Sequence, residues 1–128
     1  MKPELTLLVW SVVLCIVHMA ISVHALVSTK GLMAAIGNRE NLPELPGWAG
    51  RAVRANRNMA QNLPLFAAMV LAAVVVGQTN AMTLLGAQLF FWGRVAYGVC
   101  YLGGLKWLRT LSWTVSIVGV ALILWQLQ

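Results

Sequence analysis

Charged side chains are scarce in this sequence, and acidic ones are the scarcest. Asp, Glu, Lys and Arg make up 9% of the 128 residues, against about 25% in a soluble domain, and 60% of the residues are hydrophobic. The carboxylates belong to Glu4, Glu40 and Glu44, which lie outside the long apolar runs. This composition excludes an ordinary soluble domain and predicts an integral membrane protein.

Several common functional signatures are also missing. Cys15 and Cys100 lie in apolar stretches, where a free cysteine behaves as a small hydrophobe, so they indicate no disulfide framework. His18 and His24 have no acidic or cysteine partner at metal-ligand spacing, and we interpret them as structural. Walker, nucleophile-elbow, zinc and dinucleotide-binding motifs are absent. Hydrolase, kinase and nicotinamide-dependent functions have no local support, and we expect no metal.

The sequence does contain four apolar runs. Each approaches the ~20 residues that cross a hydrocarbon core of about 30 Å. We predict an all-α fold with one membrane domain over 1–128, a four-helix bundle with helices at about 5–27, 51–76, 81–103 and 109–127 and an ordered cytoplasmic loop at about 28–50. The first run lacks a small-residue cleavage site, so we expect it to be retained as a membrane helix.

The net charge of +6 is concentrated at two connections between the runs. The turn at 77–80 has no basic residue. The positive-inside rule therefore predicts that the first and third connections are cytoplasmic and that both termini lie outside. Because topology explains the charge, we expect membrane lipid and no nucleic acid as a partner. The basic residues in or beside these two connections are Lys30, Arg39, Arg51, Arg54, Arg57, Lys106 and Arg109.

Small residues recur on two of the predicted helices. Gly86 and Gly93 share a face of the third helix, and Ala68 and Ala72 lie on the second. Small side chains let membrane helices approach closely, so we predict packing surfaces at these positions. Three tryptophans near helix ends fit the aromatic belts of membrane proteins: Trp107, Trp113 and Trp125.

An arginine with no acidic neighbour interrupts the third apolar run. Arg94, Tyr97 and Tyr101 are spaced i, i+3 and i+7, so they share one face of a helix. A charge at membrane depth needs tyrosines, amides, water or a bound anion around it. This face therefore indicates either an anion-binding site or a buried polar network.

A second polar face precedes the second apolar run. Arg51, Arg54, Asn58 and Gln61 fall within about a quarter-turn of a helix. Their cations and amides suit a ligand with carboxylates and amides, although lipid phosphates and neighbouring helices could also occupy them. Arg109, at the start of the fourth helix, could favour a thiolate in the same cleft or anchor the helix at the headgroups.

These residues resemble the signature of the MAPEG family, the membrane-associated proteins in eicosanoid and glutathione metabolism. One matching segment runs from Arg51 through Arg54, Asn58 and Gln61 to Phe66. The other runs from Arg94 through Tyr97 and Tyr101 and continues at Arg109-Thr-Leu-Ser. Four apolar segments in the same order extend the resemblance over nearly the whole chain.

The resemblance implies a homotrimer in a membrane, and the chain is similar to bacterial-type members of an inner membrane. It implies glutathione as co-substrate, bound between subunits near the cytoplasmic side, and a lipophilic small molecule as second substrate. By position, Arg109 is the catalytic residue that would stabilise the thiolate. The implied glutathione-binding residues are Arg51, Arg54, Asn58, Gln61, Arg94, Tyr97, Tyr101 and Lys30.

The chain departs from the family at Gln61, where the family has Glu. A carboxylate can pair with the γ-glutamyl ammonium of glutathione, and a hydrogen bond to a charged group contributes about 1.5–3 kcal/mol against about 0.5–1.5 for a neutral one. We therefore predict weaker glutathione binding or a related anionic ligand. Two functions remain open: a glutathione-dependent transferase or peroxidase, and a non-catalytic membrane scaffold or lipid-binding protein.

Overall fold

Four long helices make up the described part of the fold. The structure is a computed structural model that describes residues 1–32, 36–37 and 45–128, and these contain no strand. The predicted all-α, four-helix fold is therefore confirmed. The helices are α1 Pro3–Lys30, α2 Gly47–Val76, α3 Ala81–Leu102 and α4 Lys106–Gln126.

Three helices begin earlier than the apolar pattern predicts. α1 begins at Pro3, where proline is tolerated because the first-turn N–H groups have no intrahelical partner. α2 begins at Gly47, after Pro46, and α4 begins at Lys106. Hydropathy identifies only the part of a helix that suits lipid. The polar first turns of these helices lie outside that part, so the apolar pattern does not include them. Of the predicted ordered loop at 28–50, residues 28–30 belong to α1 and residues 47–50 to α2, while residues 33–35 and 38–44 lie outside the described residues.

α1, α2 and α4 are each long and apolar enough to cross a membrane. α3 is also long enough, with 22 residues, but its mean hydropathy is too low for it to be included with these three helices. Its polar residues, which include Gln88 and Arg94, lower its mean hydropathy. Three apolar helices nonetheless support the predicted integral membrane protein.

The main core is aromatic and joins α2 to α3. Phe66 and Phe90 are fully buried, and their rings stack at 4.1 Å between centroids with an interplanar angle of 14°. Ile123 of α4 packs in the same cluster. α2 remains helical through Pro64, which places Asn58 and Phe66 on one continuous element.

Glycines set the contact between α3 and α4. A Cβ atom on Gly86 would lie 2.5 Å from the carbonyl oxygen of Gly119, and one on Gly93 would lie 3.0 Å from the backbone nitrogen of Ser116. The predicted packing role of Gly86 and Gly93 is therefore confirmed. Their partner is α4, which packs against α3 along its length.

One glutamate holds α1 against α3 at the end of the bundle that carries the second connection. The Glu4 carboxylate is buried and accepts a hydrogen bond of 2.9 Å from Thr83 Oγ1. Asn80 caps α3 by accepting from the backbone N–H groups of Met82 and Thr83. A carboxylate is favourable in this first helical turn because unpaired N–H groups make it partly positive. Glu4 is therefore hydrogen-bonded at the start of α3, far from the end of that helix that carries Tyr97 and Tyr101.

Candidate polar pocket at the basic end

The basic end of the bundle is the end that carries the first and third connections. There the base of α2 packs against the end of α3, with Ala55 fully buried against Tyr97 and Tyr101. The small alanine side chain lets the two helices approach closely. The sequence places polar residues on both sides of this contact, so the contact assembles a polar site. The described basic residues at this end are Lys30, Arg51, Arg54, Arg57, Lys106 and Arg109.

Two arginines of α2 bind the end of α3. Arg51 donates through Nε to the carbonyl oxygen of Leu102 at 3.2 Å, which satisfies one of the last carbonyls of that helix. Arg54 donates through Nε to the Tyr101 hydroxyl oxygen at 3.1 Å. Since the hydroxyl accepts this bond, its own proton remains available for a ligand.

Aromatic rings and guanidinium groups alternate along this site. The Arg94 guanidinium carbon lies 4.2 Å from the centroid of the Tyr97 ring, and the Arg109 carbon lies 4.7 Å from that of Tyr101. The two rings are 5.4 Å apart at 53°. A cation over a tyrosine ring is stabilised by the ring quadrupole. Arg109 is thereby held beside the α3 face although it belongs to α4.

Asn58 is oriented by its neighbour one turn along α2. Asn62 donates through Nδ2 to the Asn58 side-chain oxygen at 3.1 Å and to the Asn58 backbone carbonyl at 2.7 Å. Asn62 is itself buried. With its oxygen engaged, Asn58 presents its amide nitrogen as a donor.

A pocket of about 160 Å³ lies between α2, α3 and α4. It combines an amide, a phenol, a guanidinium and a hydroxyl with the apolar surface of an indole. Such a mixture can bind the polar part of an anionic ligand beside an apolar group. The lining residues are Asn58, Tyr97, Arg109, Thr110 and Trp113.

The structure brings some of the predicted residues to the pocket and leaves others at a distance. Three of them line it: Asn58, Tyr97 and Arg109. Three lie next to this group through direct contacts, namely Tyr101 under Arg109, Arg54 on the Tyr101 hydroxyl and Arg51 at the end of α3. Arg94, Gln61 and Lys30 do not line it.

Gln61 and Lys30 are exposed on the single chain. Gln61 lies three residues beyond Asn58, which rotates it about 60° around α2. Asn58 therefore faces the pocket while Gln61 faces outward. Lys30 is the last residue of α1, where a cation is favourable because the final carbonyl groups are partly negative.

Arg94 lies behind the pocket. Its side chain is 0% exposed, and Nε, Nη1 and Nη2 have no hydrogen-bond partner among the described residues. Burying an unpaired ion costs several kcal/mol, whereas a desolvated cation–π contact such as that with Tyr97 contributes about 2 kcal/mol of stabilisation. The Tyr97 ring therefore leaves much of the cost of burying this cation uncompensated.

Sequence reasoning missed three residues of this site. The sequence pattern indicates an interfacial anchor at Trp113, and it does not single out Thr110 or Asn62. The helical period carried the signal for two of them, since Trp113 is four residues after Arg109 and Asn62 four after Asn58. Residues at this spacing share a helix face, but only the packing of α4 against α2 and α3 shows that the face lines a pocket.

The sequence profile of the MAPEG family matches residues 7–127 of this chain. No curated protein matches the sequence of this chain significantly. The family match covers nearly the whole chain and confirms the resemblance noted from the two polar segments. Membership supports a membrane role related to glutathione at the level of the family, and the four helices have the all-α architecture of a membrane helical bundle. The chain therefore belongs to the MAPEG family.

Proposed function

We propose that the protein is a membrane-embedded, glutathione-dependent transferase or peroxidase that acts on a lipophilic electrophile. The observation that carries this proposal is the position of Arg109. Its guanidinium packs on the Tyr101 ring and lines the same pocket as Asn58 and Trp113. A cation fixed beside polar donors and an apolar wall suits a thiolate that must meet an apolar substrate.

Arg109 would act by favouring the thiolate form of glutathione. A neighbouring guanidinium stabilises the thiolate without giving up its own proton, because arginine remains charged. The hydroxyl of Tyr97 and the amide of Asn58 supply hydrogen-bond donors in the same pocket. In a transferase the thiolate sulfur bonds to the electrophilic carbon, and the leaving group departs with the electron pair of its bond.

We further propose a homotrimer in a bacterial inner membrane, with glutathione bound between subunits near the cytoplasm. The pocket of one chain, about 160 Å³, is smaller than the roughly 300–1,000 Å³ of typical small-molecule sites. Gln61 is exposed fourteen residues into α2, where an amide facing lipid is unfavourable. A second copy of the chain would cover Gln61 and complete the site.

The proposed activity is tested with the detergent-purified full-length chain. We expect glutathione to bind with a Kd near the millimolar range, about −4 kcal/mol, and to show the ultraviolet absorbance of a thiolate on binding. Mixing with a lipophilic aryl halide or an organic hydroperoxide should give glutathione-dependent turnover. An absence of both binding and turnover would overturn the proposal.

The substitution Gln61→Glu should strengthen glutathione binding by about tenfold, since a charged hydrogen bond exceeds a neutral one by roughly 1.4 kcal/mol. The comparison is made by isothermal titration at neutral pH, where the carboxylate can pair with the ligand ammonium. Gln78→Glu is the matched control, because Gln78 is exposed at the opposite end of the bundle. Equal affinities in wild type and Gln61→Glu would show that residue 61 does not contact glutathione.

A second candidate function is a non-catalytic scaffold that binds lipid in the groove between subunits. The observation in its favour is Gln61, which replaces the family glutamate and is exposed on the single chain. This function predicts that lipid copurifies with the protein and that Gln61→Glu also fails to bind glutathione. Robust glutathione-dependent turnover would reject it.

A further inference from the structure

The interior of the bundle contains a cation whose charge the described residues leave unbalanced. Arg94 is completely buried, and all three nitrogens of its guanidinium lack an acceptor among these residues. The face of the Tyr97 ring lies against the guanidinium and offers no lone pair to its N–H groups. Donors remain available around the guanidinium.

The carboxylate of Glu4, which belongs to α1, is hydrogen-bonded at the start of α3, away from Arg94. Glu4 accepts a hydrogen bond from Thr83, which precedes Arg94 by eleven residues and therefore lies about 16 Å away along the helix axis. No other glutamate or aspartate occurs among the described residues. The balancing charge must therefore come from outside this part of the chain.

A buried histidine of α1 packs against α3 close to Arg94. The His18 ring is buried and lies against Gly98, where an added Cβ would be 2.9 Å from His18 Cε1. Gly98 is one turn along α3 from Arg94 and on the same face. The His18 imidazole and the Arg94 guanidinium are thus both buried, about one helical turn apart, at the contact between α1 and α3.

We propose that a site beside Arg94, between α1 and α3, binds a small monovalent inorganic anion of the halide class. An anion supplies both the acceptor and the charge that the guanidinium lacks, whereas water supplies only the acceptor. Burial of Arg94 and His18 restricts the occupant to a small one. The site is distinct from the polar pocket, because Arg94 does not line that pocket.

The test measures thermal unfolding of the full-length protein in detergent, with potassium gluconate replaced by chloride or bromide at constant ionic strength. We expect the midpoint to rise by about 5 °C and to saturate, as for a ligand near tenfold its Kd. Arg94→Met should lose this response. Chloride magnetic resonance lines should broaden with wild type and sharpen with Arg94→Met.

Arg109→Met is the matched control, since it removes a cation from the polar pocket and should keep the halide response. If Arg94→Met fails to fold, anomalous diffraction from wild-type crystals soaked in bromide should show the ion beside Arg94. A wild type that is insensitive to halide and causes no line broadening would overturn the proposal in favour of buried water. Loss of the response in Arg109→Met, with its retention in Arg94→Met, would also overturn it.

Discussion

Replacing Arg109 with alanine is expected to lower glutathione turnover at neutral pH by about 100-fold, equivalent to roughly 2.7 kcal/mol. The reason is that the guanidinium, held 4.7 Å from the centroid of the Tyr101 ring, is the pocket-lining cation placed to stabilise a thiolate. Without it, bound glutathione should remain largely the unreactive thiol. The measurements are steady-state kinetics and the ultraviolet absorbance of the bound thiolate.

The loss should appear mainly in kcat. Asn58 and Tyr97 still line the pocket in the variant, so glutathione affinity should fall by less than about tenfold. Arg109→Lys keeps a positive charge and should recover part of the activity, although an ammonium lacks the planar stacking of a guanidinium. Raising the pH should also recover part of the Arg109→Ala activity, because hydroxide then ionises the thiol.

Lys106→Ala is the control for a general loss of positive charge at this end of the bundle. Lys106 is exposed and lies one turn before Arg109 at the start of α4, and it does not line the pocket. We expect its kinetics to match wild type. Equal losses in Lys106→Ala and Arg109→Ala would show that the effect is a general attraction of an anionic substrate, which contradicts a specific role for Arg109.

Replacing Gly119 with alanine should produce the largest loss of stability among single methyl additions to α4. The new Cβ would collide with the Gly86 carbonyl oxygen and lie 2.8 Å from the Phe90 backbone nitrogen. Backbone atoms cannot move aside by changing a rotamer, so α3 and α4 must separate. This penalty should exceed the gain of about 1 kcal/mol that alanine has over glycine in a helix.

We expect the midpoint of thermal unfolding to fall by on the order of 10 °C, corresponding to about 3 kcal/mol. Circular dichroism of the protein in detergent measures this change. Val118→Ile is the matched control, since it adds one methyl group at the neighbouring, exposed position of the same helix. A Gly119→Ala variant as stable as this control would contradict the close contact of α3 with α4.

Which residues share a face of one helix was predictable, because the helical period alone decides it. Arg94, Tyr97 and Tyr101 share a face of α3 because their spacing matches the turn of a helix, and all three are buried in the structure. The same period could not predict that Asn58 lines the pocket while Gln61, about 60° around the helix, does not. That outcome depends on how α2 is rotated against α3, which involves contacts distant in sequence.

The least predictable property was which helix packs against which. Gly86 and Gly93 were recognisable as packing residues, but the helix that meets them could not be read from their spacing. The same holds for Arg109, whose position over the Tyr101 ring spans two helices and a connection. Local patterns specify which face of a helix is polar or small, and they carry no information on which other helix covers it.

By itself the sequence determined the class of protein, the number of helices and the family to which the chain belongs. Its scarcity of charge and its apolar runs are local properties, so no packing was needed to interpret them. Only the tertiary structure separated Arg94 from the pocket and joined Arg109 to it. Burial and contact between helices depend on their mutual rotation and separation, and these are set by the side chains of all four helices together.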